Sequence, residues 1–410
     1  MILTISEKIK HCRDYFGLSQ SQFSSYGISQ HYLSMIESGK RNPSDEVKGA
    51  IYNALYQLTD SKVEQLYSKA SFLITPEDEI QEWIEKKYDS GEKLLEKYDE
   101  IVEGCKKVGS YHHLYQIDYK VGLYYKSKNS ELAIHFLLKA VNWALLCEVN
   151  PIDCYYMIGK SMNDRNEFDK ALDYYLLADK YLENKESLLY YRIQFDIASL
   201  FLKTKKLSEC NNRLDLILME CKDEKLRAAT YLLKARYLFH SNQIQEGKSL
   251  LLDFIEQNPY EPFLAYAYYH LSYQLFLLKE YEEALLFAEK SISSSTECRN
   301  YVMSALLLSQ IYRMLNRYDD AYEICMLSKQ RLMNSPKVIF IEKWYKGAME
   351  LFLEMNDWTN INSLIDELKL ATLSQNTLNE LKICFLEQIV ESPTIDFTRQ
   401  KQYYNKLKAL

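Results

Sequence analysis

Turn-forming residues are scarce, with 11 glycines and 7 prolines in 410 residues, about a third of the usual combined share of roughly 12%. Sheets reverse direction through turns that draw on those two residues, so a β-sandwich, a barrel and a doubly wound sheet are disfavoured. A strong charge of one sign is also lacking. Fifty basic against 57 acidic side chains leave a formal charge of −7. That argues against a chain that coats nucleic acid along its whole length, although one small DNA-reading module on an acidic body stays compatible. No apolar run reaches the roughly 18 residues of a membrane span, and MILTISEKIK meets charge too soon for a signal peptide. The nine cysteines, at 12, 105, 147, 154, 210, 221, 298, 325 and 384, form no C-x-x-C pair. Neither a zinc knuckle nor a thioredoxin-like site is therefore signalled, and the dispersed, odd set suits buried thiols in a reducing cytosol. There is no P-loop, no G-x-S-x-G and no H-E-x-x-H, and His112 and His113, adjacent on a helix, point to different faces. No enzyme activity, cofactor or metal is indicated. A cytoplasmic protein with no membrane partner is expected.

What is present reads as helix. Hydrophobic residues make up 47% and charged residues 26% of the chain, the balance of a folded protein rather than a disordered one. Length alone suggests two or three units at about 150 residues each. Residues 4–66 hold five short helical patterns separated by compact corners. Thr4 or Ser6 caps the first, whose apolar positions are Ile5, Ile9, Cys12 and Phe16, with Gly17 closing it. Ser19 opens the second, Gly27 makes the turn, and Ser29 caps a third through Tyr32, Leu33 and Ile36. The break at Ser38–Pro43 is followed by Ser44 and a fourth helix facing inward through Val47, Ile51 and Leu55. Two short helices around a glycine-containing turn mark a helix-turn-helix.

The string GLSQSQFSSYGISQHYLSMIESGKRNPS resembles the Cro-type (XRE) repressor helix-turn-helix. Leu18, Ser19, Gln20, Gly27, Ile28, Ser29, Ile36, Glu37, Gly39, Arg41 and Pro43 fall on that pattern, and the likeness covers about 55 residues. It implies that Arg13 and Glu37 form an internal ion pair tying the first helix to the end of the third. The stretch from Phe23 to Gly27 is one residue shorter than in the family. A recognition helix offers bases the side chains of its first turns, here Gln30, His31 and Ser34, with Ser29 near a phosphate. Gln20 is expected to bond a phosphate from the start of its helix, and Lys40 and Arg41 add charge in the next loop. Seven basic residues in this module face seven acidic ones. So balanced a module holds double-stranded operator DNA weakly alone, which implies a homodimer presenting two copies.

Residues 67–110 read as a helical connector, with Thr75 as N-cap, Pro76 at the first position and acids in the first turn. From about 112 one unit recurs: a large anchor followed three residues later by a small residue. The instances begin at Ser130, Phe168, Leu207, Ile244, Tyr281, Tyr318 and Trp358, and from Phe168 they lie 39, 37, 37, 37 and 40 residues apart. Each helix pair cannot bury its apolar faces alone, so neighbours stack. These units resemble tetratricopeptide repeats of slightly extended length, six or seven in number. Residues 265–296 are the clearest, and Pro259 ends the repeat before them. The expected fold is all-α: a helix-turn-helix domain (1–66), the connector (67–110), a right-handed tetratricopeptide-repeat superhelix for peptide binding and dimerisation (111–375), and a C-terminal helical cap (376–410) with polar faces.

The combination resembles the RRNPP regulators of Gram-positive bacteria, the Rgg, PlcR, PrgX and NprR types, with the Rap proteins as relatives. It implies a quorum-sensing transcription regulator, a homodimer whose repeats hold a short signalling peptide in a concave groove. In such repeats the first helix of each pair lines that groove at positions about four apart. Counting back from the anchors places there Asp118 and Tyr125; Tyr156, Lys160 and Asn163; Phe195 and Ser199; Arg236 and Phe239; Tyr269, Tyr273 and Phe276; Leu306, Gln310 and Arg313. Amides and guanidinium groups satisfy an extended peptide backbone, Tyr and Phe make apolar pockets at low entropy cost, and Lys160, Arg236 and Arg313 suit a carboxylate. Tyrosines also serve inter-helix packing in a chain with 35 of them. Two rivals remain: a Rap-like protein whose N-terminal helices bind a partner protein instead of DNA, and a repressor whose repeats only dimerise or recruit.

Overall fold

The computed structural model describes residues 2–257, 261–295, 298–333, 338–370, 375–392 and 395–408. All regular structure among them is helical. The chain divides into two compact units, Met1–Leu200 and Phe201–Leu410. No helix among the described residues is long and apolar enough to cross a membrane. Pro259, expected to close a repeat, lies outside the described residues.

The N-terminal module follows its caps. Thr4 and Glu7 form a capping box at helix Ile5–Tyr15, and Gly17 adopts the left-handed conformation beyond it, with φ +67°. Ser29 Oγ accepts the Tyr32 N–H at the start of helix Gln30–Glu37, and Ser44 caps Asp45–Leu58. One element departs from expectation: residues Gln20–Tyr26 wind as a 3-10 helix, ended by Gly27 at φ +79°. Its rise of about 2.0 Å per residue covers the same length with fewer residues, which fits the shortened stretch before Gly27. Phe23 from this turn, Leu33, Ile36, Ile51 and Leu55 are fully buried together, each contributing roughly 1.5–3 kcal/mol of burial.

That core runs past residue 66. Phe72, from helix Lys69–Leu73, is fully buried in it. Lys8, only 2% exposed, donates to the carbonyls of Ser71 (2.9 Å) and Ile74 (3.2 Å) and to Glu79 Oε2 (3.3 Å). All three ammonium protons thereby find acceptors, the condition for burying a lysine. Lys107 pairs with Glu7, and Ile2 fills the space beside Gly104, where a Cβ would lie 2.7 Å from Ile2 Cδ1. His113 bridges Ser110 Oγ (2.6 Å) and Gln81 Oε1 (2.7 Å). The first helix is thus fastened to the connector by charge, packing and hydrogen bonds.

Beyond residue 110 the repeat pattern is realised helix by helix. Each of the seven anchors is the first residue of a helix: Ser130–Leu146, Phe168–Tyr181, Leu207–Glu220, Ile244–Gln257, Tyr281–Ser293, Tyr318–Met333 and Trp358–Leu370. The residues three positions on, Ala133, Ala171, Cys210, Gly247, Ala284, Ala321 and Ile361, are all buried. At Gly247 a Cβ would lie 2.5 Å from the Phe239 ring, so only glycine admits that close approach. The corners repeat too. Asn166, Lys205, Asn242, Lys279, Asn316 and Asn356, each two residues before an anchor, have φ between +55° and +64°. The next N–H reaches back to a carbonyl five residues earlier, as in Glu167 to Met162 (3.0 Å) and Gln243 to Leu238 (2.9 Å). These are Schellman ends with asparagine or lysine standing where glycine is usual, which is how the chain turns so often with so little glycine.

Candidate functional site

The candidate residues fall into groups, one in the N-terminal module and others in the repeats of the two units.

In the module the ion pair implied by resemblance forms. Arg13 Nε donates to Glu37 Oε1 (2.9 Å) and Nη2 to Oε2 (3.2 Å), while Nη1 donates to the Leu18 carbonyl (2.9 Å). The Glu37 hydrogen bond leads in raising the Arg13 pKa. Gln20 joins this network, its amide donating to Glu37 Oε2 at 2.7 Å, so its amide nitrogen is engaged inside the module. Ser29 is occupied as a cap. Gln30, His31 and Ser34 are exposed on the first turns of helix Gln30–Glu37, and Lys40 and Arg41 are exposed in the following loop. Arg41 lies 5.0 Å above the Tyr32 ring, which holds the loop cation beside that helix.

Of the inner-face residues, those in the first unit answer one another. Tyr156 is buried, and its hydroxyl donates to Asp196 Oδ2 at 2.8 Å. Lys160 Nζ lies 3.8 Å from the same oxygen and 4.9 Å from the Tyr156 ring centre. Asn163 and Ser199 are half-buried on the same two helices, Ile152–Asp164 and Leu188–Lys203. Asp118 corrects the inner-face assignment. It is 1% exposed and accepts from Tyr98 Oη (2.6 Å) and Trp143 Nε1 (2.8 Å), so it is an interior carboxylate. Burial raises its pKa against those two hydrogen bonds.

In the second unit Arg236, Phe239, Tyr269 and Tyr273 come together around a cavity of about 770 Å³, with His270, Gln274, Asn300, Ser304 and Lys343 in its wall. Tyr269 and Tyr273 stack at 6.2 Å with their planes 12° apart. Gln310 and Arg313 line an adjoining space of about 220 Å³ that shares Tyr269, Tyr273, Met303 and Lys343 with the first. The two arginines differ. Arg313 is buried, pairs with Glu354, and lies 3.2 Å from Glu350. Burial works to lower its pKa, but the Glu354 and Glu350 contacts outweigh it and hold the charge. Burial lowers the Arg236 pKa as well, and the phenol of Tyr269 opposes this only in part. No carboxylate among the described residues pairs with Arg236. Beside it, burial and the Arg236 charge pull the His270 imidazole down to about 3, so His270 is neutral near pH 7. Asn300, 5% exposed, has a side-chain oxygen with no hydrogen-bond partner. The cavity therefore offers an unanswered cation, an unanswered acceptor and an aromatic wall.

His270, Asn300, Gln274 and Lys343 were absent from the sequence-based set. His270 lies eleven residues before its anchor Tyr281, as Asp196 does before Leu207. That register was the available signal, because Asp196 faces Lys160 from the corresponding position.

No protein-family model matches the chain, and no curated protein does. Among solved structures the chain is similar to a Rap protein complexed with competence and sporulation factor, at 16% identity over 82% of this chain and 98% of that one, with a TM-score of 0.48. It is similar to the apo form of the quorum sensor NprR from B. thuringiensis, at 13% identity over 99% of both chains and a TM-score of 0.48. It is also similar to NprR in complex with its cognate peptide NprX, at 13% identity over 81% of this chain and 98% of that one, with a TM-score of 0.47.

Proposed function

We propose that the chain is a non-enzymatic, cytoplasmic transcription regulator. It binds operator DNA as a homodimer through residues 1–66 and is controlled by a short signalling peptide held by its repeats. The observation that carries the reading is the half-buried guanidinium of Arg236, without a carboxylate partner, in an aromatic cavity. A desolvated cation of this kind is stabilised by an anion brought from outside. The adjoining spaces share walls from helices Glu261–Leu277, Cys298–Met314 and Val338–Glu354. Such a trough suits an extended chain better than a compact metabolite, and Gln274, Asn300 and Gln310 supply amide groups for a peptide backbone. A terminal or side-chain carboxylate of the peptide meets Arg236.

At the other end, Gln30, His31 and Ser34 project from a capped helix after a tight turn, the placement a major-groove reader needs. Gln pairs bidentately with adenine, while His and Ser are less selective. The fastening of Lys8 to Ser71, Ile74 and Glu79 makes head and connector move together, so peptide occupancy acts on DNA through the separation of two heads. The Rap-like reading, in which these helices bind a protein, draws on the charge balance of the module and on Tyr15 and Tyr26, both exposed.

Selection from a randomised duplex pool at about 150 mM salt distinguishes the two, since non-specific binding is weakened there. A two-half-site palindrome is expected, lost in Gln30→Ala/His31→Ala at roughly 1–3 kcal/mol per base contact. Failure to enrich any sequence, with and without candidate peptides, sinks DNA reading in favour of the Rap-like alternative.

A further inference from the structure

The wall of the larger cavity carries charge of one sign. Arg236 and Lys343 both stand in it, and among the described residues it holds no Asp or Glu. Lys343 is exposed and makes no ion pair with a described residue; its Nζ lies 3.9 Å from Met303 Sδ. The two histidines of the wall add little to that charge near pH 7. His270 titrates at about 3, and burial, with the charges of Arg236 and then Lys205, holds the His240 pKa below its ordinary value. Lys205, exposed on the corner before Leu207, thus adds to the positive field at this site.

The adjoining space has a different balance. Its other cations are answered inside the fold, Arg313 by Glu354 and Glu350 and Lys346 by Glu342 at 2.9 Å. Leu306 and Leu307 give it apolar wall. Lys343 belongs to both spaces, Arg236 to the larger alone and Arg313 to the smaller alone. From Arg236 past Lys343 toward Arg313, the trough therefore passes from unanswered positive charge to balanced charge and apolar surface. A ligand lysine or arginine at the first end meets like charges and no counter-charge, a repulsive element that excludes it actively. A carboxylate there is attracted from two sides. Asn300 Oδ1, buried and without a hydrogen-bond partner among the described residues, asks in addition for an N–H donor. A peptide amide supplies one and a simple inorganic anion does not.

We infer that the ligand class is an anionic peptide, with one carboxylate on Arg236, a second on Lys343, and uncharged residues lying toward Arg313. The inference rests on the peptide reading above and narrows it. Selectivity for acid over base is set at Arg236 and Lys343 together, the buried cation giving most of the affinity and the exposed one the preference for a second acid.

Affinity selection of random heptapeptides with free C-termini on the full chain, read by mass spectrometry, tests the class. Retained peptides are expected to be net negative, with Asp or Glu enriched and Lys and Arg depleted. One retained peptide then enters a double-mutant cycle. Each of its carboxylates in turn, the C-terminal one included, is replaced by the amide, and each form is titrated against wild type and Lys343→Gln. One of these replacements is expected to weaken binding to the wild type about fivefold, the upper range for an exposed pair, and to leave binding to Lys343→Gln unchanged. Lys343 is exposed, so circular dichroism of this variant should match the wild type. Retained peptides that are neutral or basic, or losses that are the same on both proteins for every carboxylate, overturn the assignment while the peptide reading stands. A pool from which nothing is retained removes the peptide reading, and this inference with it.

Discussion

Lys160 and Arg236 occupy the same place in their repeats, eight residues before the anchors Phe168 and Ile244. Their backbones match as well: each helix ends two residues before its anchor in a left-handed asparagine, Asn166 and Asn242, both at φ +61°. The side chains around them differ. Lys160 faces Asp196, while Arg236 has His270, held neutral, at the corresponding register. With Arg in place of Lys, and His in place of Asp on the neighbouring helix, a cation satisfied within the fold gives way to one left for a ligand. A repeat protein can thus move its binding site along the array without altering the scaffold, by choosing where the internal counter-charge is omitted.

The largest effect that tests this contrast is on peptide affinity. Arg236→Glu is expected to weaken binding of a carboxylate-bearing peptide by roughly a hundredfold or more, since removing one member of a desolvated charge pair costs about 2–5 kcal/mol. Lys160→Glu should cost far less. His270→Asp closes the open site by giving Arg236 an internal partner, and a loss of about tenfold is expected. Calorimetric titration of each variant with one peptide, free and amidated at its C-terminus, reads all three. Equal losses at Lys160 and Arg236 would dissolve the contrast.

A second effect is pH dependence. The folded His270 pKa lies near 3, below the ordinary value of about 6.5 that applies once the chain unfolds. Between those values the unfolded chain takes up a proton that the folded chain refuses. The contribution of His270 to stability is therefore complete above pH 6.5 and is lost as pH falls toward 3. His270→Gln should flatten that part of the pH–stability curve, measured by urea denaturation. An anion bound at Arg236 offsets the neighbouring charge and should raise the His270 pKa, visible in the imidazole resonances on titration. A His270 pKa that stays put when peptide binds would place the ligand's anion elsewhere.

The sequence made the helices legible because each anchor coincides with a helix start and each small residue with a buried contact. Thr4, Ser29, Ser44 and Thr75 cap as their residue types require. Counter-charges were harder to see. Spacing placed Lys160, Arg236 and Arg313 on one face, but whether a carboxylate answers each depends on Asp196, His270, Glu350 and Glu354, which belong to neighbouring helices 34 to 41 residues away. Gln20, expected at a DNA phosphate, has an internal partner that spacing does not reveal for the same reason, since only the folded module brings Glu37 to its amide. The fastening of Lys8 across more than sixty residues likewise left no local trace. The asparagines two residues before the anchors were readable in principle, because asparagine tolerates the left-handed conformation better than other side chains with a Cβ.

Those asparagines give the smallest and most controlled test. Asn166→Ala and Asn242→Ala each force a residue without local hydrogen bonding into positive φ, at a cost of about 1 kcal/mol, whereas Asn→Gly at either site should be close to neutral. The two alanine variants should lower the urea midpoint by similar amounts, because both corners carry the same pair of backbone hydrogen bonds: Asn166 to Asn163 and Glu167 to Met162, Asn242 to Phe239 and Gln243 to Leu238. Neither should alter peptide affinity. If Asn242→Ala weakened binding while Asn166→Ala did not, the openness of Arg236 would owe something to how its helix ends, and the contrast with Lys160 would no longer be one of side chains alone.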